Sequence, residues 1–321
     1  MLAPAGVALR ILVTGARGFV GGHLWRQLRG RHEVTTVGRR PLPDSERHVR
    51  GDLEDDGVVD VLSRFAPEAV VHLAALADAD LCEDQRERAR AVNAEVPARL
   101  ATAVAKSCRR FVQVSTDLVF DGERAPYSEA DAARPISVYG RTKLAGERAV
   151  VSILGERACV VRLALAYGPR PDALSRPSFV ERMLASAFRG ESLPLFVDEI
   201  RTPVYVEDAA RALALLLEDR SSPSLVHLGG PDRCSRFELG TRTLATFGLT
   251  SELARASSRS DGPKRAPRPR DVSLTSSLAL ALELPSRSLT DGLSSMKREM
   301  ERQGFMVGSE VAVPEDEANS L

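Results

Sequence analysis

Between Leu9 and Arg162, short β-branched runs alternate with stretches whose apolar residues recur every three or four positions. The runs Leu9–Thr14, Glu33–Val37, Ala69–Leu73, Arg110–Ser115 and Ala158–Leu163 predict strands. The stretches Phe19–Leu28, Val58–Phe65, Gln85–Lys106 and Val138–Val151 predict helices. Regular strand–helix alternation implies a parallel sheet covered on both faces. Ligands of such a sheet sit at the carboxyl ends of its strands.

After Gly168-Pro169 the alternation loosens. Phe179–Phe188, Glu207–Leu217 and Leu289–Arg302 still predict helices, and Leu225–Leu228 a strand stopped by Gly229-Gly230-Pro231. Arg170–Pro177 reads as a loop. Ser257–Arg270 reads as an extended binding loop, with Lys264, Arg265, Arg268 and Arg270 set among prolines. The tail from Gln303 onward has acids and no basic residue, so it is expected to be disordered.

Composition narrows the classes. The 321 residues carry 44 basic and 44 acidic side chains, a net charge of zero. A neutral balance argues against nucleic acid or an anionic membrane as partner, so any bound anion must be held by local groups. No apolar run is long enough to span a bilayer, and Met1–Arg10 is too short for a secretory signal. Cys82, Cys108, Cys159 and Cys234 form no CxxC pair and read as free thiols of a cytoplasmic protein. The histidines lack metal-site spacing, so no metal is expected.

The first strand runs into Gly15-Ala16-Arg17-Gly18-Phe19-Val20-Gly21. Gly15 permits a tight turn, Gly18 close approach of backbone to a pyrophosphate, and Gly21 close helix–strand packing. The helix N-terminus then faces the negative charge. This turn assigns Gly15, Arg17, Gly18, Phe19, Val20 and Gly21 to a dinucleotide. The second strand ends in Gly38-Arg39-Arg40, where an NAD site wants a carboxylate for the ribose hydroxyls. Two guanidiniums suit a 2′-phosphate instead, so NADP(H) is expected over NAD(H). A solvated surface pair is the alternative. Asp52 either accepts from an adenine amino group, with Leu53 against the ring, or caps a helix over Glu54–Phe65. Leu73, Ala74 and Ala75 are small enough to leave room for a ribose.

Tyr139 and Lys143 stand four apart, on one face of a predicted helix. An ammonium beside a phenol is expected to lower the phenol's pKa, which tunes it for proton transfer to a substrate oxygen. With four tyrosines and four lysines, such a pair arises by chance in about one chain in twenty. A second signal therefore matters. The strand Phe111–Val114 ends in Ser115-Thr116-Asp117, at the ligand edge of the sheet. There Thr116 could hold a carbonyl oxygen, or merely cap the strand end.

In order along the chain, the glycine turn, His72-Leu73-Ala74-Ala75, Val92-Asn93, Ser115-Thr116-Asp117, Tyr139-xxx-Lys143 and Arg201–Asp208 resemble the extended short-chain dehydrogenase/reductases. Ser115–Gly122, Pro126–Glu129 and Tyr139–Glu147 look most like dTDP-4-dehydrorhamnose reductase and its relatives. The resemblance implies a doubly wound parallel α/β sheet, a Rossmann fold, with a smaller C-terminal substrate-binding lobe. Residues 8–169 would form the NAD(P)-binding domain, with 203–229 returning to it, 170–303 the lobe and 304–321 the tail. It implies Thr116, Tyr139 and Lys143 as the catalytic set, and Ser115, Thr116, Asp117, Arg201 and Arg268 at the substrate. The two arginines match family positions that contact a nucleotide-sugar's phosphates. Relatives often pair as homodimers through helices equivalent to Gln85–Lys106 and Val138–Val151.

Two departures shape the functional expectation. Leu118 stands where the reductases usually have Tyr and where nucleotide-sugar 4,6-dehydratases need a Glu base, which disfavours dehydration. Asp198-Glu199-Ile200-Arg201-Thr202-Pro203-Val204 leans toward the epimerase-like branch. The expectation is an NADPH-dependent reductase of a keto group on a nucleotide-linked sugar. The alternatives are a nucleotide-sugar 4-epimerase with bound NAD and, from another class, a non-catalytic cofactor-binding subunit like the regulatory subunit of methionine adenosyltransferase.

Overall fold

Six strands in the first half of the chain alternate with helices. They are β1 (Arg10–Thr14), β2 (Glu33–Gly38), β3 (Arg47–Arg50), β4 (Ala69–His72), β5 (Arg110–Thr116) and β6 (Ala158–Leu163). In the computed structural model they join a seven-stranded sheet with the late strand Leu225–Leu228. The order is Leu225–Leu228, β6, β5, β4, β1, β2, β3, and each adjacent pair is parallel. The chain winds outward from β1 to β3, then restarts on the other side of β1 with β4. Such a reversal opens a crevice between β1 and β4 at their carboxyl ends. The structure describes residues 8–304 except 173–174, 220, 222 and 262–265, together with 306–307 and 310–311.

Both faces of the sheet are covered, and the period-two alternation of the strands divides the core. Ile11, Val13, Val71, Val112 and Val161 point to the side of α1 (Phe19–Leu28). Leu12, Val70 and Phe111 point to the opposite side, where α2 (Asp56–Arg64) supplies Leu62. Four more helices follow on the way to β6: α3 (Ala79–Asp84), α4 (Arg86–Arg90), α5 (Val96–Val104) and α6 (Val138–Leu154). Beyond β6 come α7 (Phe179–Phe188), α8 (Val206–Glu218), α9 (Arg236–Phe247), α10 (Ser277–Ala281) and α11 (Leu289–Arg302). Helix α8 returns to the sheet and packs on α1. Helices α7, α9 and α11 build a separate core with Val180, Leu184, Leu195, Leu239, Leu293 and Met296. Ser178 with Glu181 and Ser235 with Glu238 close capping boxes on α7 and α9.

The structure corrects several expectations. The helix expected over Gln85–Lys106 is broken. Helix α4 passes through a π-turn at Ala91–Glu95 before α5 begins. Pro97 sits at the start of α5, and its missing N–H removes the hydrogen bond that a continuous α-helix would need. Helices α3, α9 and α10 went unpredicted, as did the parallel pairing of Leu193–Phe196 with Ala254–Ser257. Part of the basic loop, residues 262–265 with Lys264 and Arg265, lies outside the described residues, as does most of the expected disordered tail. Within that tail, Met306–Val307 pairs antiparallel with Glu310–Val311.

One close approach sets the geometry of the site. Ser137 caps α6 by accepting from the Gly140 N–H at 3.1 Å. A Cβ on Gly140 would lie 2.2 Å from the Leu118 carbonyl oxygen, in the turn that follows β5. Only a glycine lets α6 lie this close to the end of β5. Gly140→Ala should gain about 1 kcal/mol of helix propensity. It should lose about 1–3 kcal/mol to overpacking against a backbone atom that cannot rotate away. The expected net result is a lower urea midpoint, and an unchanged or raised midpoint would count against this reading.

Candidate functional site

The glycine turn is pressed against the end of β4. Gly15 has φ +69°, and a Cβ there would lie 2.7 Å from the Ala74 nitrogen. A Cβ on Gly21 would lie 2.1 Å from the Gly15 carbonyl oxygen. Gly18 is the N-cap of α1, with no side-chain cap and no acid in the first turn. Its first N–H groups and the positive end of its dipole are thus open to an anion. Thr14 joins β1 to β4: its hydroxyl accepts from the Leu73 and Ala74 N–H groups at 3.2 Å and meets His72 Nδ1 at 2.8 Å. Leu73, Ala74 and Ala75 are half-buried beside it. This cradle fits a dinucleotide's pyrophosphate and adjacent ribose.

Arg17 leans across to the end of β2, where its guanidinium donates to the Pro41 carbonyl at 2.7 Å. Arg39 and Arg40 are exposed there, with no ion pair to any described residue. Phe19 and Val20 are half-buried in the first turn of α1. Asp52 is exposed, and its Oδ1 accepts from the Glu54 N–H at 3.1 Å. Asp52 is not the helix cap. Asp55 holds that place, accepting from the Gly57 N–H at 2.9 Å, so α2 starts later than Glu54. The half-buried Leu53 follows Asp52, and its carbonyl accepts from Arg99 at 3.0 Å.

Thr116, Tyr139 and Lys143 converge at the carboxyl end of β5. Lys143 is 3% exposed, and its Nζ donates to the Val114 carbonyl at 2.7 Å. Burial pulls its pKa down to about 8, against an upward pull from Glu147. The Thr116 hydroxyl donates to Asp117 Oδ1 at 3.0 Å and accepts from the Leu118 N–H at 3.2 Å. Tyr139 departs from expectation. Its phenol is held above its ordinary pKa, first by burial and then by the Asp117 carboxylate, with the neighbouring Thr116 hydroxyl opposing. The expected lowering by Lys143 does not prevail; its amine donates to the β5 backbone.

The expected substrate residues fall into different surroundings. The Ser115 hydroxyl donates to Glu147, which Arg162 grips at 2.9 Å. Asp117 is buried, with Oδ2 3.6 Å from Arg201 Nε. Its carboxyl is held above the usual range by burial, with Arg201 pulling the other way. Arg201, 3% exposed, is engaged on every side: it donates to Glu199 at 3.1 Å and to the Ile200 carbonyl at 2.7 Å. Arg236 joins the same Glu199 at 3.2 Å. Arg201 thus ties β5 to the second lobe and presents no open fork. Arg268 is half-buried and ion-paired to Asp80 of α3 at 3.1 Å. Asp80 also accepts from the Ala266 N–H at 2.7 Å, so one carboxylate joins α3 to the C-terminal loop.

Sequence reasoning missed Thr14, Asp80, Glu147, Arg162, Glu199 and Arg236 as parts of this site. Only Glu147 carried a local signal, four residues beyond Lys143 on the same helix face. Asn93, quoted only as part of a motif, pins the segment after β4. Its amide exchanges hydrogen bonds with both backbone groups of Leu76, at 2.9 and 3.1 Å, and donates to Thr142 at 3.2 Å.

All four cysteines are free and buried. Among the described residues no helix is long and apolar enough to cross a membrane. The family described as RmlD substrate binding domain matches residues 9–302. The chain is 33% identical over 276 residues to the dTDP-4-dehydrorhamnose reductase of Mycolicibacterium smegmatis, covering 84% of this chain and 79% of that protein. It is 30% identical over 287 residues to methionine adenosyltransferase 2 subunit beta of Pongo abelii, covering 87% and 84%. A dTDP-4-dehydrorhamnose reductase from Bacillus anthracis, solved in complex with NADP, shares the fold with a TM-score of 0.81 at 24% identity, covering 91% of this chain and 100% of that one. Matched from the first strand to the last helix, the chain belongs to the RmlD substrate binding domain family.

Proposed function

We propose that the protein is an NADPH-dependent reductase of a keto group on a nucleotide-linked sugar. The convergence of Thr116, Tyr139 and Lys143 at the same edge of the parallel sheet as the open N-terminus of α1 carries this reading. Its relatives named as reductases support it. Residues 8–169 and 203–229 serve the dinucleotide, and the rest of residues 170–303 serve the sugar nucleotide. The dinucleotide supplies the hydride. The chain's own groups handle the proton and the charge. Burial and Asp117 keep the Tyr139 phenol protonated through neutral pH, the form needed to donate to a carbonyl oxygen. Thr116 offers that oxygen a second donor, and the Lys143 ammonium offsets the negative charge that develops there.

Arg39 and Arg40, free at the end of β2, favour NADPH, and NADH remains a usable second cofactor. They argue against a 4-epimerase that retains NAD. The likeness to a methionine adenosyltransferase subunit favours a second reading, a regulatory subunit without turnover of its own. A panel of nucleotide-linked 4-keto sugars separates the two. Loss of NADPH absorbance with one of them supports the reductase. No oxidation, with a stoichiometric protein partner in pull-down, supports the subunit.

Two variants test the assignment. Tyr139→Phe should lower turnover about 10²–10⁴-fold, as loss of a general acid does, while the Kd for NADPH changes little. A folded variant with wild-type turnover would falsify the role of Tyr139. The double substitution Arg39→Ala/Arg40→Ala should weaken NADPH binding about tenfold or more, from lost charge-assisted hydrogen bonds, and leave NADH binding unchanged. Equal weakening of both cofactors would remove these arginines from the 2′-phosphate.

A further inference from the structure

Lys143 is buried, yet the proposed chemistry needs its amine charged. Taking an ammonium out of water disfavours the charged form, and one hydrogen bond to the Val114 carbonyl is weak compensation. The charged and titratable groups of the site it belongs to come from five elements. On β4, His72 is fully buried and neutral, its pKa brought down to about 3 by burial and then by the Lys143 charge. From α6 itself come the Tyr139 phenol, which stays protonated, and Glu147. Beyond β5, Asp117 is engaged by Arg201. On β6 stands Arg162, another cation, and on α3 the Cys82 thiol, raised by burial to about 11. Glu147 is the remaining negative charge.

Its surroundings satisfy both oxygens of Glu147. The carboxylate is 4% exposed, yet each oxygen has a donor. Ser115 donates to Oε1. Arg162 donates to Oε2 at 2.9 Å through Nη2, and its Nε lies 3.3 Å from both oxygens. Ser115 and Arg162 are directly opposite in the β5–β6 register, so two neighbouring strands hold one carboxylate from below. Glu147 follows Lys143 by four residues and Tyr139 by eight, so all three share a helix face. Arg162 pairs with this carboxylate directly, and Lys143 stands one helical turn away from it.

We propose that Glu147, fixed by Ser115 and Arg162, is a positioning residue whose buried carboxylate keeps the Lys143 amine charged. The inference gives Ser115 a place in the support of the site. It rests on the reductase reading only for its kinetic consequence. The competing view makes Glu147–Arg162 a structural ion pair that holds α6 to β6 and leaves Lys143 alone.

The chain has only four lysines, Lys106, Lys143, Lys264 and Lys297, so lysine labelled with carbon-13 at the ε position gives a readable NMR titration of the whole protein. Lys143→Arg identifies the Lys143 signal by its loss. The expected wild-type midpoint is about 8. Glu147→Gln keeps an acceptor for Ser115 but removes the charge, so the midpoint should fall by about one pH unit or more. That variant leaves Arg162 buried without its partner and can fail to fold. Glu147→Gln/Arg162→Met removes both charges at similar volume, a change that buried pairs often tolerate. Losing the Arg162 charge also relieves repulsion on the ammonium, so the midpoint should fall by less than in Glu147→Gln.

A midpoint unmoved in either folded variant overturns the proposal. Turnover gives the second readout. Lys143 is needed protonated and its pKa is depressed, so wild-type turnover should fall as pH rises through the midpoint. In Glu147→Gln this fall should move to lower pH, and acidification should restore the rate. A loss independent of pH overturns the proposal in favour of the structural pair. If no nucleotide-linked sugar is reduced at all, the functional reading fails, while the titration still decides the role of Glu147.

Discussion

The site depends on how closely α6 can lie against the end of β5. Tyr139 and Lys143 can meet Thr116 only if the first turn of α6 rests on the Leu118 backbone, and Gly140 is the residue that allows it. Ser137 fixes where the helix starts, and Glu83 strengthens that start by accepting from the Val138 N–H at 2.8 Å. A start displaced by one residue would rotate the phenol and the amine about 100° away from β5. Cap, glycine and strand end thus work as a single positioning device.

Two buried charge clusters flank Thr116 in the chain. Ser115 reaches Glu147 and Arg162, while Asp117 reaches Arg201 and, through it, Glu199 and Arg236. Buried ion pairs of this kind add little net stability, since desolvation consumes most of the attraction. Their value here is orientation. The first cluster ties α6 to β5 and β6, and the second ties β5 to the lobe that begins after β6. Helix α6 and the second lobe are therefore both referenced to the end of β5, through Ser115 and Asp117. Arg201, expected at a phosphate, is instead part of this frame.

The readable parts of the molecule were those governed by short periodicities. Six of the strands, the glycine turn and the Tyr139–Lys143 face follow from residues within a few positions of one another. Helix α4–α5 was read as continuous because apolar spacing continues through Asn93, and the π-turn there serves a long-range bond to Leu76. The ion pairs of Arg201 were not legible because its partners, Asp117 and Glu199, meet only after the lobe has folded onto β5. Asp55 was overlooked as the cap of α2, since Asp52 offers an equally good local pattern. The second lobe was least legible. Its strands are two to four residues long and pair across large stretches of chain.

The bond between Thr14 and His72 couples the dinucleotide cradle to acidity. The Thr14 hydroxyl accepts from two backbone N–H groups, so its one proton must go to His72 Nδ1. That nitrogen must then be bare, and the ring carries its proton on Nε2. A second proton would force two donors together at the junction of β1 and β4. Burial depresses the ring's pKa from 6.5 to about 3, so the neutral form adds stability at neutral pH and loses it progressively as pH falls through that window. Acid would thus loosen the floor under the Gly15–Gly21 turn through a fully buried side chain.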